Sequence, residues 1–292
     1  MSCLLNPRGV LALAVLATAG GCTPIINQVR SPLARPQMSP DSVVLDVFFI
    51  RIPFDDPEAN GPLWAEIDEQ HFPAGLRRRL VRNGFRAGLV GGQIPVGLSQ
   101  LLELGDKPVP SGASNQTNLG DFSSEPRVLR RHLQLRAGRR SEIVTSGVHD
   151  ELPVLIADPD GLRGQTYSKA QGVLAVKAFS ERDGRVRLDL VPELHYGESQ
   201  QRYVGTQGAL RLEAGRPRRA FDPMAVSATL APGHMLVLSS LPSRPGSLGH
   251  HFFTQESGGQ LEQKLLVIRL AQTQHDDLFA LQDLLPPDEP EE

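Results

Sequence analysis

The chain has 292 residues, of which 40% are hydrophobic and 22% are charged, and its formal net charge is −3. These values are typical of a folded globular protein with one or two cores. The negative charge, and the lack of a basic stretch interleaved with aromatic residues, give no indication of nucleic-acid binding.

The N-terminus has the pattern of an export signal. Arg8 precedes an apolar run from Val10 to Ala19, which is too short to span a bilayer and matches the central region of a secretory signal peptide. Cys22 follows the small pair Gly20-Gly21, an ending that resembles a bacterial lipobox, although Ala19 stands where that motif usually has leucine. The sequence therefore predicts that residues 1–21 are a lipoprotein-type signal and that Cys22 is lipidated.

Lipidation of Cys22 would anchor the protein in a membrane of the bacterial cell envelope, either at the outer membrane or facing the periplasm. The alternative is ordinary signal cleavage near Ala19 that leaves Cys22 as an incidental thiol. Residues 22–41 follow as a proline-rich tether, with four prolines and no hydrophobic periodicity.

Residues 42–104 read as strand, helix, strand and helix. The run Ser42–Ile52 is rich in β-branched and aromatic residues, and Pro53 ends it. Pro73 suits the first turn of a helix that would bury Leu76, Leu80 and Val81 and expose four arginines. The predicted stop of that helix, the returning strand and the second helix are Asn83-Gly84, Phe85–Val90 and Pro95–Leu104.

The composition changes after this section. Residues 105–126 are rich in Gly, Pro, Ser and Asn and are predicted to be a flexible loop. Residues 127–272 alternate apolar and polar residues between turn glycines and prolines, which predicts antiparallel strands, including a hairpin around Asp183-Gly184. Residues 273–292 are expected to form a short helix and an acidic tail. The predicted class is α+β, mainly β, with a strand-helix-strand section followed by an antiparallel sheet or sandwich.

The order of these β segments resembles the C-terminal core domain of bacterial secretins, the outer-membrane ring channels of type II and type III secretion and type IV pilus systems. The pattern joins a strand phrase, a hairpin, a long apolar strand, a "PxLGxxxF" corner and a final strand. The positions that match it are Leu133, Leu135, Gly138, Gly172, Val173, Asp183, Gly184, Val186, Leu188, Leu190, Glu193, Gly233, Leu236, Val237, Leu241, Leu248, Gly249, Phe253, Glu262, Leu265, Leu266 and Ile268.

The resemblance implies a secretin-like sheet and a non-enzymatic role in, or beside, a secretion or pilus-type channel. It also implies partners: the membrane, a secretion-system protein or further copies of the chain. Two differences are visible, because Ser239-Ser240 replaces the family's Gly-Gly and no tandem ring-building domains precede the core in this sequence. The structural motif expected from the resemblance consists of Gly184, Gly233, Ser239, Ser240, Leu248, Gly249 and Phe253.

Chemical sites have weaker support in the sequence. Ser239 or Ser240 with His250 or His251 could suggest a hydrolase, but no G-x-S-x-G elbow surrounds either serine. The histidines do not have a metal-ligand spacing. We therefore expect no catalytic residue, cofactor, metal or small-molecule substrate. The alternatives to a channel-associated protein are a monomeric scaffold or binding lipoprotein and an exported hydrolase. The histidines considered as ligands are His195, His234, His250, His251 and His275.

Overall fold

Antiparallel strands make up most of the structure, a computed structural model that describes residues 42–106, 127–181, 183–206 and 209–274. This confirms the mainly β prediction. The strands are β1 (Ser42–Pro53), β2 (Phe85–Val90), β3 (Val128–Arg136), β4 (Ser141–Val144), β5 (His149–Asp158), β6 (Gly161–Ser180), β7 (Val186–His195), β8 (Gln200–Thr206), β9 (Ala209–Gly215), β10 (Arg218–Ala220), β11 (Val226–Leu230), β12 (Met235–Ser240), β13 (Thr254–Ser257) and β14 (Gln260–Gln274).

The described helices are short. They are α1 (Pro57–Asn60), α2 (Pro62–Ala65), α3 (Ala74–Arg82), α4 (Val96–Asp106) and α5 (Leu248–Phe253), with single 3₁₀ turns at Glu69–His71 and Asp222–Met224.

The strands form two main sheets and a separate hairpin. The first sheet has the order β2-β12-β14-β1-β3, and β13 also pairs with β14. In the second sheet β10, β7, β6 and β4 are neighbours in that order, β11 pairs with β7 and β5 pairs with β6. Strands β8 and β9 form a hairpin of their own.

The two main sheets pack face to face. Alternate residues of β1, such as Val43, Leu45 and Val47, share one core with Leu188 and Leu190 of β7. The predicted alternation in the β7 hairpin is confirmed, since Val186, Leu188 and Leu190 are fully buried. This arrangement is a sandwich, in which each sheet hides one face against the other.

Turns that contain glycines connect consecutive strands, both within a sheet and between the two sheets. Residues 137–140, among them Gly138 with φ +70°, connect β3 of the first sheet to β4 of the second. Gly233 returns the chain from β11 to β12: it has φ +87° and follows Pro232, and His234 N donates to Ala231 O over 3.0 Å. This is the sequence and geometry of a type II turn, in which the third residue needs positive φ. Gly184 lies in the turn of the predicted β6–β7 hairpin.

Helices cover the other face of the first sheet. Phe48 and Ile50 of β1 and Val267 of β14 pack against Trp64 of α2 and Leu98 of α4 in a second core. Because the middle parts of β1 and β14 are buried on both faces, each contains a continuous apolar run, Val47–Ile50 and Leu265–Ile268. The helix layer places α1, α2 and α4 beside β1, where they help to form the candidate site described below.

The structure corrects several boundaries. Val81 was expected on the buried face of α3, but it is 41% exposed, because only Leu76 and Leu80 face the core. Strand β14 continues to Gln274, where a short helix was expected from residue 273, because Thr273 and Gln274 pair with Val43 and Ser42 of β1. The predicted signal peptide, the tether, most of the loop at 105–126 and the acidic tail lie outside the described residues.

Candidate functional site: the open edge of the first sheet

The predicted corner at "SLGHHFF" is a short helix, α5, packed against the end of α3. Leu248, Phe252 and Phe253 are fully buried. Gly249 N donates to Asn83 O over 2.9 Å, and a Cβ atom added at Gly249 would lie 2.0 Å from the carbonyl oxygen of Gly84. Gly249 therefore has a steric role, because two backbone segments that are distant in sequence touch at this point.

The two serines of β12 are buried, and of their hydroxyl groups only that of Ser239 has a hydrogen-bond partner among the described residues. Ser239 and Ser240 are buried, and Ser239 Oγ donates to the carbonyl of Lys264 over 2.9 Å while Gln263 Nε2 donates to Ser239 Oγ over 3.0 Å. Gln263 also exchanges two 3.0 Å hydrogen bonds with the side-chain amide of Asn60. Ser239 thus joins a polar network between α1 and two strands. Among the described hydrogen bonds, none links either serine to a histidine.

The histidines of α5 lie on a short helix, where a corner was expected. His149 of β5 joins them: its ring centroid lies 6.3 Å from that of His251, which lies 5.4 Å from that of His250. Burial and the neighbouring imidazoles together lower the pKa of His251 to about 4, although a 3.0 Å hydrogen bond to Pro153 O opposes the shift. Burial also lowers the pKa of His149 and of His250.

The remaining histidines do not join this cluster. His195 lies 3.0 Å from the carboxylate of Glu193, His234 follows the turn at Gly233, and His275 is outside the described residues. Over residues 42–106, 127–181, 183–206 and 209–274, no group of three or more metal-ligating side chains could hold an ion.

The arginines of α3 divide into two pairs. Arg77 and Arg79 each donate from Nε to a backbone carbonyl, that of Phe72 over 3.2 Å and that of Pro223 over 2.7 Å. Arg78 and Arg82 are exposed and line a shallow hollow of about 300 Å³. Half of the basic face predicted for this helix therefore stabilises the fold.

Two sheet edges are capped by other parts of the chain. At β2, Asp68 N donates to Leu89 O over 2.9 Å and Leu89 N donates back to Asp68 O over 3.0 Å. At β5, Asn83 exchanges two hydrogen bonds with the backbone of Ala157, and Leu155 N donates to Gly246 O over 2.9 Å. Caps of this kind prevent another strand from pairing there.

Strand β3 forms the opposite edge of the first sheet and is open. Within the described residues, β1 is the only strand that pairs with β3. Arg51 N donates to Arg127 O over 2.8 Å just beyond β3, which fixes the alternation of the ladder. Every second residue from Val128 to Arg136 then directs its backbone N–H and C=O groups away from β1. Within the described ranges these groups pair with no other strand, so they can serve as a template for a further one.

A buried carboxylate holds the cations on the helix-facing side of this edge. Asp46 of β1 is 1% exposed, and its Oδ2 accepts hydrogen bonds from Arg269 and, over 3.1 Å, from Arg130. His132 Nδ1 lies 2.7 Å from Oδ1. Burial alone would raise the pKa of Asp46, but the two arginines outweigh it and lower that pKa below 3.8. Arg130 also lies over the ring of Phe48. The network fixes β3 to β1 across the sheet.

A hollow lies on each face of the sheet at the start of β3. The helix-side hollow, of about 530 Å³, has an apolar lining that includes Ile50, Leu63 and Val128. Its polar lining residues are Arg51, Asp56, Glu58, Glu66, Gln100 and Arg127. Side chains of a strand added to β3 would alternate between this face and the opposite one.

The second hollow, which we call the basic hollow, faces the second sheet and has a volume of about 400 Å³. Three cationic side chains line it, those of Arg51, Arg131 and Lys264, together with Phe49 and Leu129. None of the described residues that line it carries a carboxylate. Nearby, Nη1 of Arg51 lies 3.4 Å from Oε2 of Glu262. Lys264 is 6% exposed, and its Nζ donates to Thr145 O.

Sequence reasoning did not find this site. The expected motif residues lie in turns and cores elsewhere, and only Leu133 and Leu135 of the matched positions belong to β3. The one available signal was the run Arg127–Arg136, which carries four arginines and a histidine without an acidic residue. Such a run indicates a basic edge only when the strand is known to lie at the rim of a sheet.

Two further observations concern membrane-spanning helices and similarity to known proteins. None of the helices that the structure describes is long and apolar enough to cross a bilayer. In comparisons with known proteins, no family model matches the chain, and no curated protein or solved structure matches it.

Proposed function

We propose that this chain is an exported, lipid-anchored, non-enzymatic protein of the bacterial cell envelope. In this proposal its secretin-like sandwich assembles, through the edge of β3, with a channel of the secretion or pilus type. The open edge of β3 is the observation that carries the proposal. The signal pattern and Cys22 would hold that edge at a membrane surface.

An edge of this length favours assembly on physical grounds. Strand β3 has nine residues, and its outward N–H and C=O groups can each gain a partner when a strand is added. Soluble proteins usually cap such edges to prevent uncontrolled pairing. This chain caps β2 and β5, yet among its described residues it leaves β3 without a cap.

A monomeric binding lipoprotein is the second candidate, and the charge on β3 favours it. Arg130, Arg131 and Arg136 are exposed, and charged side chains on an edge strand oppose pairing with an identical strand. In that case the same fold would serve as a scaffold and not as a ring subunit. The hydrolase alternative has no support from the contacts of Ser239.

The molar mass of the mature protein in mild detergent tests the proposal, and light scattering measures it. We expect a discrete assembly or a stable complex with an envelope protein. Gln134→Pro removes an outward N–H from β3 without breaking its ladder with β1, so this variant should lose the assembly. Gln134→Val keeps the N–H and is the matched control. A monomer without partners, or an assembly that Gln134→Pro leaves intact, would contradict the role of β3.

A further inference from the structure

We infer that one face of helix α3 binds the surface of an anionic lipid bilayer. This face, which we call the arginine stripe, follows one side of the helix from its first residue to its last. The inference rests on the proposed function in one respect, because the predicted anchor keeps a membrane within reach of α3. The arginine stripe consists of Ala74, Arg77, Arg78, Val81 and Arg82.

The arginine stripe points away from the core. Its residues recur at intervals of three and four positions, so their side chains lie on one face of the helix. Leu76 and Leu80 are buried on the other side, where they hold α3 against the sandwich. Arg78, Val81 and Arg82 are exposed, and the five side chains of the stripe line a shallow depression of about 410 Å³. The helix therefore presents a basic face to its surroundings.

The positive charge of α3 is not neutralised by other described residues. The helix carries four arginines and no acidic residue. The ion pairs of the described residues involve other arginines, and none of them includes an arginine of α3. Asp158 lines the adjoining hollow and Asp222 lies in the 3₁₀ turn that contacts α3, so two carboxylates stand against four cations. The excess of cations is local, because the whole chain has a formal net charge of −3.

Two of the arginines are available to a ligand. Arg77 and Arg79 use Nε to bind the carbonyls of Phe72 and Pro223, which helps to fix the orientation of the helix. Arg78 and Arg82 donate no side-chain hydrogen bond to the described residues. Their planar guanidinium groups can each offer two parallel N–H donors to a phosphate.

A lipid surface fits this face better than a protein strand does. The strand edges nearest to α3, those of β2 and β5, are both capped by other parts of the chain, so no strand can pair beside the stripe. Val81 is 41% exposed and adjoins Arg82. At a bilayer, a small apolar side chain can contact the boundary of the acyl chains while guanidinium groups reach the phosphates.

The arginine stripe and the edge of β3 lie at opposite ends of the first sheet. Helix α3 leads directly into β2, and β2 and β3 are the two ends of the order β2-β12-β14-β1-β3. Four strand spacings, about 19 Å, separate these ends. A contact between α3 and a bilayer therefore leaves the edge of β3 accessible to another protein.

Co-sedimentation with vesicles tests the inference. The full chain carries Cys22→Ser, which removes the predicted acyl anchor, and vesicles of phosphatidylcholine alone measure every contribution that does not need lipid charge. Each arginine near an anionic surface raises the partition coefficient about fivefold. We therefore expect vesicles with about one-third phosphatidylglycerol to bind the protein about 25-fold or more strongly than neutral vesicles, with a preference that falls as salt is raised.

Two double variants of that chain locate the contact. Arg78→Gln with Arg82→Gln should lower the partition coefficient on anionic vesicles about 25-fold. Arg136→Gln with Arg139→Gln is the matched control, because it removes two exposed arginines and the same net charge at the far end of the sheet. In about 0.1 M salt this control should stay within about twofold, since the charges lie more than a Debye length from α3. Circular dichroism checks that both variants fold.

Equal partition onto neutral and anionic vesicles overturns the inference, and so does an equal loss in the two double variants. If vesicles show no preference while an acidic envelope protein is lost from Arg78→Gln with Arg82→Gln, the stripe binds protein and the inference is wrong. The outcome is separable from the proposed function. A stripe that binds anionic vesicles on a chain that never assembles supports the inference and contradicts the channel role. An acylated, assembled chain without a preference for anionic vesicles has the opposite meaning.

Discussion

The close approach of Gly249 to Gly84 predicts that Gly249→Ala destabilises the whole sandwich. An added methyl group would lie 2.0 Å from the carbonyl oxygen of Gly84 and 2.7 Å from the backbone nitrogen of Phe85. Neither atom belongs to a flexible side chain, so α5 must move away from the end of α3. That movement weakens the hydrogen bond from Gly249 N to Asn83 O and loosens the packing of Phe252.

The expected cost follows from these two losses. Overpacking a dense site costs about 1–3 kcal/mol, and a weakened buried hydrogen bond adds about 1 kcal/mol. We therefore expect the free energy of unfolding to fall by about 2–4 kcal/mol. Trp64 is the only tryptophan of the chain and is 2% exposed, so its fluorescence in a urea titration reports the unfolding of the core.

Gly91→Ala is the matched control. A methyl group at Gly91 would meet no atom within 4 Å, and Gly91 is not among the glycines with positive φ. This variant should stay within about 0.5 kcal/mol of the unchanged protein. If Gly249→Ala unfolds at the same urea concentration as Gly91→Ala, the steric argument for the corner is refuted.

Three further predictions concern charge, pH and the anchor. Asp46→Asn should lower the free energy of unfolding by about 1–3 kcal/mol at neutral pH, because Arg130 and Arg269 lose their buried partner but can still reach water. Since the folded-state pKa of Asp46 is lowered, its contribution to the free energy of unfolding is present above the unfolded pKa and is lost as the pH falls through the folded pKa. In urea titrations, the difference in stability between the unchanged protein and Asp46→Asn should therefore shrink below pH 3.8. A difference that stays constant with pH would contradict the network. For His251, with a folded pKa of about 4 against 6.5, stability should be lost as the pH falls from 6.5 to about 4, and His251→Gln should flatten this part of a urea-midpoint profile; an unchanged profile would refute the assignment. Cys22→Ser should move the protein from the membrane fraction to the soluble fraction, and mass spectrometry of the unchanged protein should find acyl chains on its N-terminal cysteine; an unmodified Cys22 would support ordinary signal cleavage.

The local sequence was sufficient to predict the strands and helices whose residues interact mainly with neighbours in the chain. The strand Phe85–Val90 and the hairpin between β6 and β7 were predicted, because alternation and turn residues act within a few positions. The helix at Ala74–Arg82 was also predicted, since Leu76 and Leu80 lie one turn apart. Such patterns indicate which face of a helix or strand is apolar.

Two strand segments and one helix were not predicted from the sequence, in most cases because their apolar and polar residues form a weak pattern. Strand β5 was not predicted although its buried Leu152, Val154 and Ile156 alternate with exposed residues, and the first half of β6 was missed because Gly161–Ser168 is mostly polar and exposed. The helix α5 was predicted as a corner, because its six residues give too short a window for helical periodicity. Pairing with β5 defines the first half of β6, whereas burial by distant residues stabilises α5.

The order of strands was decided only by the tertiary structure. Nothing near β3 in the sequence indicates that it pairs with β1, some 85 residues away, or that no other described strand pairs with its second side. The basic hollow likewise joins Phe49, Arg131 and Lys264 from three distant strands. The sequence determined which segments are apolar strands and where export and lipidation are predicted, because those signals are local. The position of the open edge and its charges depends on which strands reach each other across the sheet, and long-range packing alone determines that pairing.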